Sequence, residues 1–529
     1  MTDRRISRRQ LLQIAGTVGG SAAMYKLALG LELLPGLADG VVRPDVAPIP
    51  KGSQKVVILG AGIGGLTAAY ELSRKGYDVV VLEASHRAGG RNLTLRRGDV
   101  VDEIGNRQVC EFDDDPHLYF NAGPARIPGN HTTVLEYCRE LGVELAPFIN
   151  DNRNAWVHDD AVFSGKPIRN REYVTDARGF LAELVAKGLS QHALDADLTN
   201  DDVERLRGLV RAFGDLDESL KYRGSPRAGL VSHNYTVPDQ LKGVREFPEL
   251  LKAKFSALAM TFGEMDDQAA MMMEPVGGMD RIVQGFMSKV KDKVRLRCRV
   301  QALRLTDDGI DVVYDQKGRT QKIAADFCLN NIPLHLVSGI ENNFSPEYSA
   351  ALAAVPRGKL FKIGLQTKQR FWEAEQIYGG ISWTSQDIAQ IWYPAHGIHR
   401  KKGVILAAYI HDAAASERFQ RMTHEERIEA AIQQGSKIHP DYRHHIETGV
   451  SVAWHQMNHM LGCSATWTPA LRAQWFGRLQ APIGRHYMIG DQVSYHPGWQ
   501  QGAMHSALYA IANIDQRVRA EYGSKAVTV

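Results

Sequence analysis

The chain has 529 residues, with 63 Lys+Arg against 60 Asp+Glu and a formal net charge of +3. That balance excludes a dominant polyanion-binding surface, so no nucleic-acid partner is expected. Hydrophobic residues make up 44% and charged residues 23%, the profile of a globular protein of about three domains or one large composite. Cys110, Cys138, Cys298, Cys328 and Cys463 are scattered, which suits neither a disulfide framework nor a zinc site.

Arg4, Arg5, Arg8 and Arg9 make a strongly basic start. Ser7-Arg8-Arg9-Gln10-Leu11-Leu12 then leads into a mildly apolar stretch over residues 14–34. The pattern resembles a twin-arginine export signal, which implies the twin-arginine translocation machinery as a partner and a periplasmic or secreted destination. The other reading is a basic amphipathic helix retained on a cytoplasmic protein. Gln13, Tyr25, Lys26 and Glu32 interrupt the stretch, so no stable membrane insertion is expected. Pro44, Pro48 and Pro50 form a linker, which sets residues 1–50 apart.

Residues 55–60 read as a buried parallel strand. Gly60-Ala61-Gly62-Ile63-Gly64-Gly65 opens a helix running to about Lys75, with Gly76 as its terminal glycine. Residues 78–83 make the next strand. Gly60 permits the turn, Gly62 the approach of a pyrophosphate, and Gly65 close packing of helix on strand. The helix N-terminus offers free N–H groups to phosphate. Glu83 ends the second strand, where an acid accepts the ribose hydroxyls of an adenosine. Both strands, the helix and the acid together make the fingerprint specific. Arg87-Ala88-Gly89-Gly90-Arg91 follows, with glycines for close approach and Arg91 for phosphate.

This second fingerprint resembles that of the flavin-dependent amine oxidase superfamily. Three further segments are similar to its L-amino-acid oxidase branch. Gly123-Pro124-Ala125-Arg126-Ile127-Pro128 resembles the segment that runs under the flavin ring, and the match gives Arg126 the substrate carboxylate. Residues 274–280 and 294–300 resemble the return to the nucleotide sheet, with Val300 against adenine. Residues 488–491 and 494–503 resemble the terminal flavin-binding strand and helix. The resemblance spans about residues 55–517. It implies an α/β fold: a Rossmann-like FAD-binding domain of the glutathione-reductase/amine-oxidase type, a mixed-sheet α+β substrate domain and a helical insertion. The expected boundaries are 51–129 with 270–335 and 480–529 for FAD, 130–240 for the helices, and 241–269 with 336–479 for substrate.

The resemblance assigns FAD to Gly60, Gly62, Gly64, Gly65, Glu83, Ala84, Gly90, Arg91, Gly123, Pro124, Ala125, Arg126, Val300, Asp491, Gly498, Trp499 and Ala503. Asp491 stands where the family usually has Glu, and Ala125 where several members have Met. FAD is expected without a covalent bond. Cys463 matches the linking cysteine of monoamine oxidases, but Ser464-Ala465 replaces that motif's Tyr-Thr, so covalent attachment is the lesser reading.

For substrate, the resemblance names Arg126, Tyr409, Gly498 and Trp499, with Tyr393 as a rival to Tyr409. Lys362 takes the place of the family lysine that holds a water beside flavin N5. The implied reaction is oxidative deamination of an L-amino acid by hydride transfer from the α-carbon to flavin N5. Its products are a 2-oxo acid, ammonia and H₂O₂. Its partners are the amino acid and O₂, and similar enzymes are commonly homodimers. Oxidation of primary amines or polyamines, and decarboxylation of an amino acid to an amide, are the alternatives. His444, His445 and His486 read as solvated, and His396 and His399 as a surface loop.

Overall fold

Residues 56–59 and 79–82 are apolar without alternation, and both form strands buried on both faces. The computed structural model describes residues 43–526, apart from 45, 47, 192–197, 233–234 and 255. The basic stretch behind the export expectation lies outside the described residues. Among the described residues no helix is long and apolar enough to cross a membrane.

In chain order the elements around the site are β1 (Lys55–Leu59), α1 (Ile63–Arg74), β2 (Asp78–Glu83), β3 (Trp156–His158), β4 (Ile168–Arg169), α2 (Asn170–Ser190) and α3 (Asn200–Gly214). They continue with β5 (Val294–Leu296), β6 (Phe327–Asn330), β7 (Phe361–Thr367), β8 (Gly380–Thr384), β9 (Gln390–Tyr393), β10 (Gly403–Ile410), β11 (Ile446–Ala453), β12 (His486–Met488) and α4 (Gln500–Ala526).

The nucleotide sheet has the order β5-β2-β1-β6-β12, and every pairing is parallel. Side chains alternate across it. Val56 and Ile58 face α1 and α4, meeting Leu66, Ala69, Leu508 and Ile511. Val57 and Leu59 face the other side, toward Leu303, Val312 and Leu352. Helix α1 starts at Gly62 without a side-chain cap, which leaves N–H groups of its first turn for a ligand. It ends at Lys75, and Gly76 follows at φ 96°.

The second sheet has the order β4-β3-β8-β9-β10-β7-β11. It is antiparallel except between β3 and β8. Trp383, Trp392, Leu406 and Val452 lie on one face, while Phe361, Ile363, Ile405 and Ala407 lie on the other. The two faces carry different cores, so the sheet separates the Trp392 side from an outer helical layer.

Residues 130–240 are expected to hold few strands. Helices α2 and α3 do lie there and pack through Ala182, Ala186 and Val210. The same range also supplies β3, β4 and Leu145–Phe148. These strands have 3, 2 and 4 residues, too short to show a period of two in the sequence. His486, read as solvated, is fully buried in β12, beside Asn330 at 3.1 Å. Phe344 covers it with ring centroids 4.8 Å apart, and burial pushes its imidazole down to about 3.

Candidate active site

A cavity of about 480 Å³ runs along the edge of the nucleotide sheet. Gly60, Gly62, Gly64, Glu83, Ala84, Gly90 and Arg91 line one end. Gly123, Pro124, Tyr409, Asp491, Gly498, Trp499, Ala503 and Val300 line it too, with Ala503 against Gly64 and Asp491 against Arg91. Gly65, Ala125, Arg126 and Lys362 do not line it. Gly65 packs beneath the loop, where an added Cβ would lie 2.0 Å from Gly60 O. Ala125 packs against the apolar cluster of the substrate side.

Glu83 braces the glycine loop. Its Oε2 accepts from Ala61 N–H at 2.7 Å and its Oε1 from Ser85 N–H at 2.8 Å. Half-buried Arg91 and buried Asp491 form an ion pair, with Arg91 Nη1 3.1 Å from Oδ2. Burial raises the Asp491 carboxyl, but the Arg91 charge and hydrogen bond outweigh it and hold the group below its ordinary value. Asp491 also accepts from Gly498 N–H at 2.7 Å. Arg91 and Arg357 both donate to Cys463 O, each at 2.7 Å. The Cys463 side chain borders the cavity, and burial raises its thiol.

Lys362 and Arg126 stand together behind the far wall. Lys362 is 2% exposed and Arg126 9%. Lys362 Nζ donates to Gly123 O at 2.6 Å and sits 4.4 Å from the Tyr409 ring centre. Gly123 is glycine for a reason of space, since a Cβ there would lie 1.8 Å from Arg91 O. The Arg126 guanidinium lies 4.5 Å from the Trp392 ring, 5.8 Å from Trp499 and 5.9 Å from Phe262. Its hydrogen bonds go to the neutral amide of Gln268. Among the described residues no carboxylate pairs with it. Burial, then the Arg126 charge, pushes the Lys362 ammonium down to about 7. Burial lowers Arg126 to about 10 and raises the Tyr409 hydroxyl to about 12. Asp267 acts on Arg126 only through space, so two buried basic groups without an ion-paired acid among the described residues make a seat for an anion.

A family model described as flavin containing amine oxidoreductase matches residues 63–514. The chain belongs to that family. Curated relatives include an L-amino-acid oxidase of Siganus canaliculatus, 27% identical over 496 residues, covering 92% of this chain and 89% of that protein. Another is an L-amino-acid oxidase of Bothrops pauloensis, 29% identical over 482 residues, covering 87% of this chain and 89% of that protein. Among solved structures, a putrescine oxidase variant superposes at TM-score 0.60 with 16% identity, over 88% of this chain and 99% of its own. Cyclohexylamine oxidase from Brevibacterium oxydans gives 0.57 with 18% identity, over 89% and 99%. These two share the fold.

As a member of the flavin amine oxidoreductases, the chain is an oxidoreductase that uses a flavin. The site fits that cofactor: a glycine-walled trough, an uncapped helix N-terminus and an acid at the end of β2 suit a dinucleotide. Sequence reasoning missed Trp392 and Gln268, which touch Arg126, and Arg357, which lines the cavity. Tyr393, the rival to Tyr409, points away from the site. Its hydroxyl bonds Ser382 Oγ at 2.8 Å and His439 Nε2 at 2.7 Å. One signal was available: Trp392 and Tyr393 are neighbours on a strand, so one of them has to face the site. His396, read as part of a surface loop, is half-buried and stacks on Tyr119 with ring centroids 4.6 Å apart.

Proposed function

We propose that the protein is an FAD-dependent L-amino-acid oxidase. The observation that carries the reading is Arg126: a buried guanidinium, walled by aromatic rings, whose hydrogen-bonded partner among the described residues is the neutral amide of Gln268. A substrate carboxylate supplies the missing charge, and a planar fork binds it better than an ammonium would. The names of the relatives from Siganus canaliculatus and Bothrops pauloensis agree with this choice.

The flavin, when bound, accepts a hydride from the substrate α-carbon and passes the electrons to O₂. The chain's own groups do the rest. Arg126 and the Tyr409 hydroxyl fix the carboxylate, which orients the α-hydrogen. Trp392 and Trp499 exclude water from the reacting end. Lys362 keeps a polar N–H group beside the Gly123 carbonyl, where a water for imine hydrolysis is held. Water then releases ammonia and the 2-oxo acid, and O₂ leaves as H₂O₂. Gly60, Gly62, Gly64 and the N-terminus of α1 would hold the pyrophosphate, Glu83 the adenosine ribose and Asp491 the ribityl chain. The FAD is held without a bond to Cys463, a reading supported by the missing motif after that residue.

The nucleotide unit comprises 51–129, 270–335 and 480–529, which supply β1, β2, β5, β6 and β12. A homodimer is supported by Leu184, Leu209 and Phe213, 50%, 65% and 51% exposed on α2 and α3. Export rests on Arg8 and Arg9, and a reporter fused to residues 1–50 tests it.

Anaerobic titration tests the central reading. L-amino acids should bleach the flavin band, while D-amino acids and simple amines leave it. Bleaching by amines alone would make this an amine oxidase and return Arg126 to a structural role.

A further inference from the structure

Gln268 lies between the short helix Phe262–Glu264 and the strand Met272–Pro275, and is 9% exposed. Its Oε1 accepts from Arg126 Nε at 3.2 Å and from Nη2 at 2.6 Å. One edge of the guanidinium fork, the edge that grips carboxylates, is therefore already in use. Gln268 Nε2 donates to Asp267 Oδ1 at 3.3 Å. Asn150 Nδ2 donates to the Gln268 carbonyl at 2.9 Å and reaches Oε1 at 3.4 Å. Asn150 Oδ1 is buried and has no hydrogen-bond partner among the described residues.

Three short strands build this arrangement. Ile127–Pro128 follows Arg126, Leu145–Phe148 precedes Asn150, and Met272–Pro275 follows Gln268. Met272 pairs with both Pro128 and Phe148. The register delivers all three polar side chains to one point.

We propose that Gln268 is a specificity-determining residue that occupies the carboxylate seat of Arg126 and yields only to a ligand bringing its own carboxylate. The proposal rests on the amino-acid reading of Arg126 given above. A carboxylate binds guanidinium more strongly than a neutral amide does, so it wins the exchange. A simple amine offers Arg126 no acceptor, and displacing Gln268 for it would strand a buried cation. Asn150 Oδ1 is the acceptor for the freed Gln268 amide. The residue thus makes a carboxylate the condition of entry, before any bond is broken.

Benzoate, a carboxylate without an amine, probes the seat without turnover. It is titrated into wild-type, Gln268→Ala and Gln268→Glu holoenzyme while the flavin spectrum is followed. Gln268→Ala should bind benzoate about tenfold more tightly, because a competing hydrogen bond to a charged group is gone. Gln268→Glu should bind at least about tenfold more weakly, because an internal carboxylate now holds Arg126. Damage to the fold would weaken both variants, so opposite shifts exclude it. Unchanged or weaker binding by Gln268→Ala, with a wild type that binds benzoate and oxidises L-amino acids, overturns the role of Gln268 alone. A wild type blind to benzoate and to L-amino acids overturns the oxidase reading as well.

Discussion

Replacing Lys362 with Met should stabilise the protein at neutral pH and destabilise it in alkali. The buried ammonium drops from 10.5 to about 7, through burial first and the Arg126 charge second. A lysine shifted this way opposes folding. The penalty is complete below about pH 7, and it fades as pH rises toward the unfolded value of 10.5. Each unit of that interval is worth about 1.4 kcal/mol, so the penalty at pH 7 is about 4 kcal/mol. Against it stands the bond from Nζ to Gly123 O. Leaving that buried carbonyl unpaired costs about 1–3 kcal/mol. The net at pH 7 is a gain of about 1–3 kcal/mol, and near pH 10, where about 0.7 kcal/mol of the penalty remains, a loss of up to about 2 kcal/mol. Urea unfolding of variant and wild type at matched flavin, at about pH 7 and about pH 10, measures both. A variant that is less stable at neutral pH, or a difference that does not move with pH, refutes the reasoning.

Arg126→Lys should raise KM for amino acids at least about thirtyfold, because a buried pair is worth about 2–5 kcal/mol and an ammonium cannot replace its fork. Steady-state kinetics decide this, and an unchanged KM would remove Arg126 from the carboxylate. Gly65→Ala should yield protein with little flavin, since the new Cβ would sit 2.0 Å from Gly60 O; the ratio of visible to protein absorbance shows it, and full occupancy would refute it. Arg427 and Glu103 form an ion pair at 2.8 Å with 2% and 0% exposure. Arg427→Met should therefore cost about 3–5 kcal/mol at pH 7. The loss should shrink in acid as Glu103, already raised by burial, takes a proton. A loss independent of pH would show that packing, not charge, is responsible.

The β1–α1–β2 unit was legible because its pattern is local. Gly60, Gly62, Gly65 and Glu83 lie within one strand–helix–strand unit, and turn, phosphate and ribose each demand a residue type at fixed spacing. The environment of Arg126 was not legible. Gln268 sits in a stretch without periodicity, and the strands that deliver it have 2 and 4 residues. Trp392 reaches the site through the order of β9, β10 and β7, which the sequence does not specify. His486 follows Arg485 and looks polar, yet β12 is an edge strand whose outer side Phe344 and Tyr348 close. Polarity of neighbours is a poor guide where a distant loop supplies the cover.

The pairing of β6 with β12 and the seating of α4 have a consequence for biosynthesis. Gly64 would bring a Cβ to 3.0 Å from Ala503 O, so the loop formed by residues near 60 is roofed by a helix that begins at Gln500. On the ribosome, β1, α1 and β2 wait about 400 residues for β12 and α4, which complete their sheet and roof. Contact order is correspondingly high, and folding slow. The apolar edge of β6 meanwhile stays open to nascent neighbours. Cofactor uptake then waits on α4, and a yellow chain is one whose synthesis has passed the helix that begins at Gln500.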